Sequence, residues 1–316
     1  MRQTTIEKIE EIKKRQFGVE VEMYNIRRRV ACEKVAEYFR TDNSVCNVGG
    51  TYNKWTCVDN KGRVWSFISD SSICDSYDGC EMVTPLLKYE DIVDLQNITR
   101  ILRKAGGRSD PQNNCGVHVH VDVADMSVKQ LINLTNLVAS HEQLIKDAIS
   151  VDEDRNQRWC RSVEPKFLER INREKPEDLQ ALKHIWYDSQ GYSDYECNDH
   201  YSHTRYHLLN FHSLWQNKGI EFRCFQFANR TGARMGGLHA GELKSYIQLC
   251  LALCETAKQA TTVKSKPSKL QEENPAFAMK RFMRKLGLKG KEFSTVREVM
   301  FRNLDGDVNE RHITVA

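Results

Sequence analysis

The chain has 316 residues, of which 40% are hydrophobic and 28% are charged. This balance is typical of a globular protein with one large domain or two small ones, and it excludes a disordered chain. The formal net charge is only +4. We therefore do not expect nucleic acid as a partner, although the charge suits an anionic ligand.

The eleven cysteines include no Cys-x-x-Cys pair, and their number is odd. Because the N-terminal segment is charged and does not resemble a secretory signal, we expect reduced thiols and a cytoplasmic protein. A second interpretation stays open, a zinc site built from Cys46, Cys57, Cys74 and Cys80. No run of about 18 apolar residues occurs, so we expect no membrane span.

Hydrophobic periodicity and turn residues divide the first half of the chain into short elements. The predicted helices cover 3–16, 30–39 and 92–105, and the predicted strands cover 17–24, 54–58, 63–68 and 80–84. The turn Asp59-Asn60-Lys61-Gly62 joins two of these strands in a hairpin.

The second half begins with a strand that contains His-x-His. Ser127 and Gln130 form a capping-box pattern that opens a predicted long helix to about Ile149. The remaining predictions are an irregular stretch over 150–200 with one helix near 176–186, a strand pair at 203–211 and 219–227, and helices at 237–258, 276–286 and 294–303.

The composition changes near Thr261, where a polar segment with two prolines begins. We therefore predict a catalytic domain over 1–261 and a linker with a basic helical C-terminal appendage over 262–316. The appendage is expected to pack as a helical cap on the main domain. The alternative is a contact with a partner or with nucleic acid, made through Lys280, Arg281, Arg284, Lys285 and Lys289.

The order of elements favours an α+β fold with a largely antiparallel sheet and flanking helices. Alternate residues of a strand point to the same face. Three strands carry reactive side chains two residues apart, with apolar residues between them: Glu20 with Glu22, His118 with His120 and Asp122, and Glu221 with Arg223.

Carboxylates dominate this set once Glu81 and the neighbouring Asp70 are included. Like charges that meet on one face repel, and a divalent cation removes the repulsion. Oxygen ligands with one imidazole favour Mg²⁺ or Mn²⁺, and the fork of Arg223 suits a phosphate or carboxylate. Each pair taken alone is also compatible with a solvated strand face or a surface ion pair. No P-loop pattern occurs.

Five motifs in this order resemble the amidoligase family, which belongs to the carboxylate–amine ligases of the glutamine synthetase and glutamate–cysteine ligase fold. They are Phe17-Gly-Val-Glu-Val-Glu22, Gly79-Cys-Glu-Met-Val-Thr-Pro85, Cys115-Gly-Val-His-Val-His-Val121, Arg205-Tyr-His-Leu-Leu-Asn210 and Ile220-Glu-Phe-Arg-Cys-Phe225. The resemblance covers about residues 15–260. It implies a curved antiparallel sheet, a half-barrel funnel that holds ATP and two or three Mg²⁺ or Mn²⁺ ions.

The resemblance also implies a role for each matching residue. Its metal ligands are Glu20, Glu22, Glu81, His118 and Glu221. His120 is expected near the nucleotide phosphates, and Arg223 is expected to contact the transferring phosphate, so that these two and Glu221 form the catalytic set. Arg205 and Asn210 resemble a clamp for nucleotide or substrate.

The leading prediction is an ATP-dependent ligase that joins a carboxylate to an amine through an acyl phosphate. No segment matches the flap of the ammonia site in glutamine synthetase, so we expect a primary amine rather than ammonia. The substrates stay open among amino acids, peptides and protein termini. Two alternatives remain, a metal-dependent hydrolase that uses His118, His120 and a carboxylate, and a non-catalytic module that binds nucleotide or metal.

Overall fold

The computed structural model describes residues 5–74, 79–228 and 237–309. Within these ranges the protein is an α+β structure, as predicted. The strands are β1 (Phe17–Met23), β2 (Cys46–Gly49), β3 (Lys54–Val58), β4 (Val64–Ile68), β5 (Cys80–Val83), β6 (Val117–Val121), β7 (Leu209–Asn210) and β8 (Ile220–Phe225).

The α-helices in the described ranges lie before, between and after these strands. They are α1 (Thr5–Lys14), α2 (Arg28–Phe39), α3 (Ile92–Lys104), α4 (Val128–Ala139), α5 (Glu142–Ile149), α6 (Glu153–Arg158), α7 (Pro165–Glu174), α8 (Leu179–Asp188), α9 (His212–Trp215), α10 (Ala240–Gln259), α11 (Leu270–Glu273), α12 (Pro275–Lys285) and α13 (Ser294–Phe301). None of them is long and apolar enough to cross a bilayer.

The chain separates into two compact units. Unit A consists of Gln16–Val119 and Phe225–Tyr246, and unit B of Met1–Arg15, His120–Cys224 and Ile247–Ala316. Strand β6 therefore contributes residues to both. No disulfide joins any of the eleven cysteines, all of which lie in the described ranges.

Unit A contains most of the sheet, with strands in the order β2-β3-β4-β5-β1-β6. The β2–β3, β3–β4, β4–β5 and β1–β5 pairings are antiparallel. Val19 and Val21 of β1 are buried among core residues, because they alternate with Glu20 and Glu22 along the strand. The apolar side of each strand thus fixes the direction of its carboxylates.

Unit B contains the strand order β6-β8-β7 and most of the helices. Gly219, just before β8, has φ +76°, and a Cβ at this position would lie 2.4 Å from the carbonyl oxygen of Val121. Only glycine allows this close approach. The backbone at the end of β6 therefore lies in close contact with the backbone just before β8.

Most predicted elements are confirmed, but the single helix over 127–149 is wrong. Ser127 and Gln130 do form both capping-box hydrogen bonds, yet the helix breaks at His141, which has φ −134° and ψ 4°. The His141 ring stacks on Phe282 with centroids 3.8 Å apart. A tertiary contact from α12 thus accompanies a break that periodicity did not indicate.

Two further expectations need correction. The stretch 150–200 contains three helices rather than one, and Pro165 occupies the first turn of α7. The predicted strand over 203–211 is reduced to Leu209–Asn210, preceded by a 3₁₀ turn at His203–Arg205. The zinc interpretation also gains no support, because the metal-ligand groups among the described residues include no cysteine.

The segment after residue 261 belongs to unit B together with the helices before it. Helix α12 contacts both α11 and α13, and α13 also contacts α5. Met279, Phe282 and Met283 of α12 are buried. The boundary predicted at residue 261 stays a prediction.

Candidate functional site

A carboxylate pair lies at the centre of unit A. The antiparallel register of β1 and β5 places Glu22 directly opposite Glu81. Both residues are buried, with 4% and 7% of their surface exposed. Like charges directly opposite each other on neighbouring strands destabilise a sheet. A sheet that keeps such a pair in its interior therefore needs protonation or a cation to compensate.

His118 of β6 lies between these carboxylates and Glu20. Its Nδ1 is 3.1 Å from Glu20 Oε2, and its Nε2 is 3.9 Å from Glu22 Oε1. The first distance is a hydrogen bond and the second is too long for one. Two ligands that share a Mg²⁺ ion can be up to about 4.2 Å apart, because each lies about 2.1 Å from the metal.

The pKa of Glu81 reflects the same crowding of carboxylates. Burial raises the pKa of Glu81 well above its ordinary value, and the nearby carboxylates of Glu20, Glu22 and Asp70 raise it further. A hydrogen bond with Glu20 acts in the same direction. Without a cation, Glu81 therefore tends to keep its proton and share it with Glu20.

The ligand atoms of Glu22, Glu81 and His118 all lie within 4.8 Å of one another. Two carboxylates and one imidazole form a donor set suited to Mg²⁺ or Mn²⁺ rather than to a structural zinc ion. Glu22 Oε2 also accepts a hydrogen bond of 2.5 Å from the backbone N–H of Gly116. This contact fixes the orientation of the carboxylate.

Unit B contains a second polar cluster, centred on Glu221. The β7–β8 register places Asn210 opposite Glu221, and Asn210 Nδ2 donates to Glu221 Oε2 over 2.6 Å. Arg223 NH1 donates to Glu221 Oε1 over 2.5 Å. His120 Nε2 lies 3.9 Å from the same Oε1. All four were expected in the site from the sequence.

Arg223 makes further contacts besides its ion pair with Glu221. Its guanidinium carbon lies 5.8 Å from the ring centroid of Tyr206, and the guanidinium of Arg205 lies 5.5 Å from the same ring. Arg223 Nε also donates to the carbonyl of Trp159 at 3.4 Å. Such contacts favour a guanidinium over an ammonium group.

The comparisons with known proteins identify the family. A family model described as "Putative amidoligase enzyme" matches residues 13–254. The chain belongs to the amidoligase family. No curated protein matches it. A bifunctional glutathione synthetase from Pasteurella multocida matches with a TM-score of 0.42 and 11% identity, over 94% of this chain and 48% of that one. The chain thus spans about half the length of that protein, and so weak a similarity says nothing about fold or activity.

The matched region of this amidoligase contains every residue predicted for the site. The structure brings Glu20, Glu22, Glu81 and His118 together in unit A. It brings His120, Asn210, Glu221 and Arg223 together in unit B, with Arg205 beside Tyr206. A single site that includes both sets stays a prediction.

Some contacts in the amidoligase were not found from the sequence. Ser213 Oγ lies 3.2 Å from His120 Nδ1, but a serine outside the quoted motifs gives no signal of such a contact. Tyr206 lies within a quoted motif, yet only the fold places its ring beside Arg223. The backbone contact from Gly116 could have been suspected, because glycine directly precedes the His-x-His strand.

Proposed function

We propose that this amidoligase joins a carboxylate to an amine at the expense of ATP and requires Mg²⁺ or Mn²⁺. The observation that carries the proposal is the convergence of Glu22, Glu81 and His118, whose ligand atoms lie within 4.8 Å of one another. These are positions to which the family resemblance assigns metal ligands. Membership of the family supports the choice of amide formation.

The residues of unit A fit a divalent cation. A bound cation would neutralise the repulsion that raises the pKa of Glu81, and it would favour the charged form of the carboxylates. Glu20, which hydrogen-bonds His118, would orient the imidazole as carboxylates do around metal-bound histidines, or would join the ligand set. In such ligases ATP supplies the phosphoryl group that activates the substrate carboxylate as an acyl phosphate, ADP leaves, and the metal ions would neutralise charge on the phosphates.

The polar residues of unit B would stabilise the negative charge that develops in the reaction. Arg223 is buried, permanently charged and oriented by Glu221, so it suits the charge that develops during phosphoryl transfer. Glu221 would orient the guanidinium of Arg223, and Asn210 would hold the carboxylate of Glu221 in place. Arg205 and His120 would contact nucleotide or substrate. Glu221 would also contribute a metal ligand. These roles presuppose the funnel-shaped sheet that the family resemblance implies.

The substrates proposed are a carboxylate and a primary amine, from an amino acid, a peptide or a protein terminus. No protein nucleophile is required, because the amine itself displaces the phosphate. Cys80 precedes Glu81 and Cys224 follows Arg223, but burial raises the pKa of both thiols above the ordinary value. They therefore pack as apolar side chains.

The decisive experiment measures ADP release by the full-length protein with Mg²⁺ over a matrix of carboxylates and amines. We expect release only when both partners of a competent pair are present. Glu22→Gln should abolish it. Glu33→Gln, which alters an exposed carboxylate paired with Arg29 on α2, should not. Metal-dependent hydrolysis of substrate without ATP would instead support the hydrolase interpretation and contradict the proposal.

A further inference from the structure

A pocket lies in unit B, formed mainly by the segment that follows the region matched by the family model. Its volume is about 260 Å³, and its walls include His141 at the α4–α5 junction, Ser268 before α11, and Arg281, Phe282 and Lys285 of α12. Three separate stretches of chain thus form it. The stacked rings of His141 and Phe282, with an interplanar angle of 13°, form a flat wall.

The surroundings of this pocket are strongly basic. Between residues 262 and 291 the sequence has nine Lys or Arg and only two Glu, whereas the whole chain has a net charge of +4. The excess positive charge of the protein is therefore concentrated in this segment. A concave surface with charge of one sign raises the local concentration of the opposite ion.

Two of these cations line the pocket without a carboxylate partner. Arg281 and Lys285, one helical turn apart on α12, form no ion pair with any residue in the described parts of the chain. The pocket thus presents a planar fork and a point charge, the two groups that recognise phosphate most often.

Neighbouring lysines increase the positive potential at this end of α12. Lys8 of α1 donates a hydrogen bond of 2.6 Å to the carbonyl of Lys285. Burial lowers the pKa of Lys8 to about 8, and Lys285 and Lys289 lower it further while Glu255 opposes them. Burial also lowers the pKa of Lys285. An anion in the pocket would relieve this repulsion.

We propose that this pocket binds a phosphate dianion, either inorganic phosphate or the terminal group of a small phosphomonoester, between Arg281 and Lys285. The hydroxyl of Ser268 would supply a further donor, and the Phe282–His141 wall would contact the apolar side of an ester. The volume admits a group of this size but not a folded polymer. The site shares no residue with the carboxylate cluster of unit A, and the proposal does not depend on the proposed ligase activity.

The test titrates the full-length protein, in EDTA and at constant ionic strength, with inorganic phosphate in one arm and glycerol phosphate in the other. Saturable binding is followed by calorimetry and by the rise in melting temperature that a ligand of the native state causes. We expect Arg281→Ala and Lys285→Ala each to weaken binding about tenfold or more. Tighter binding of glycerol phosphate would identify the ester as the ligand, and equal or weaker binding would identify free phosphate.

Arg284→Ala is the matched control, because Arg284 is an exposed cation on the same helix that does not line the pocket. It should bind phosphate like the wild type. Acetylation of lysines read by mass spectrometry gives the location, since phosphate should protect Lys285 but not Lys280. The proposal is wrong if the wild type shows no saturable binding at millimolar phosphate. It is equally wrong if Arg284→Ala loses as much affinity as Arg281→Ala, or if affinity simply grows with the length of a polyanion, because both results indicate a diffuse basic face.

Discussion

Glu221 and Arg223, two residues apart on β8, form an ion pair of 2.5 Å whose side chains are 4% and 5% exposed. Burial of two charges costs desolvation energy that their attraction only partly returns. The same pair would be weak on the surface. Asn210 donates to the same carboxylate and His120 lies 3.9 Å from it, so the pair is part of the polar cluster of unit B.

We expect Glu221→Gln to destabilise the protein, because it removes the carboxylate that pairs with the buried Arg223 guanidinium. Loss of one partner of a buried pair typically costs about 3–5 kcal/mol. Urea denaturation of the metal-free protein measures this change in the free energy of unfolding.

The control for that measurement is Glu169→Gln, which breaks the exposed pair with Arg173 on α7. It should change stability very little. If both variants unfold at the same urea concentration as the wild type, the Glu221–Arg223 pair is solvated in solution and the buried pair is not the dominant state.

Metal should stabilise the native protein, because only the folded chain gathers Glu22, Glu81 and His118. We expect Mg²⁺ or Mn²⁺ to raise the melting temperature, and a non-hydrolysable ATP analogue to raise it further. At a metal concentration of 100 times Kd, the stabilisation would be about 2.7 kcal/mol. Glu22→Gln should remove most of the shift. The absence of any shift in the wild type at millimolar metal would contradict the metal site.

The strands that carry the candidate residues could be predicted because their pattern is local. Val19 and Val21 are buried and alternate with Glu20 and Glu22, and the same alternation occurs in β6 and β8. The turn at Gly62, which has φ +76°, follows from its sequence in the same way. These features require no knowledge of distant residues.

The features that could not be predicted from the sequence depend on tertiary contacts. The break at His141 accompanies the stack on Phe282, which is far away in the chain. The register that places Glu22 opposite Glu81 depends on a pairing between strands separated by about 60 residues. The identity of the amine and the acid depends on pocket shape, which no residue pattern encodes.

Stability of the metal-free protein should fall as the pH rises above about 4.3, the ordinary pKa of glutamate in an unfolded chain. Burial and the neighbouring carboxylates raise the pKa of Glu81 in the folded state. The folded state therefore binds a proton more tightly than the unfolded state does, and stability is lost between the unfolded and folded pKa values. Above the folded pKa the loss is complete and constant.

Glu81→Gln removes the charge at this position and should abolish that part of the pH dependence. In EDTA the variant should be more stable than the wild type at pH 7 and similar to it near pH 4. Saturating Mg²⁺ should reverse the order at pH 7, because the wild type alone keeps the full ligand set. Parallel curves of stability against pH for the two proteins between pH 4 and 8 would show that the pKa of Glu81 is not raised in the folded state.

Arg223→Lys tests the proposed phosphoryl transfer most sharply. The change keeps a positive charge but loses the planar fork that donates to Glu221 and lies against Tyr206. If Arg223 stabilises charge that develops as the phosphoryl group moves, the loss should be in kcat, with nucleotide affinity changed much less. An arginine in this role can contribute about a thousandfold or more, so we expect a deficit of at least about tenfold in ADP release with a competent substrate pair.

Arg173→Lys, on the surface of α7, should retain full activity. If Arg223→Lys and Arg223→Ala both turn over ATP like the wild type, Arg223 serves only as the ion-pair partner of Glu221. The ligase proposal would then lose its phosphate contact in unit B.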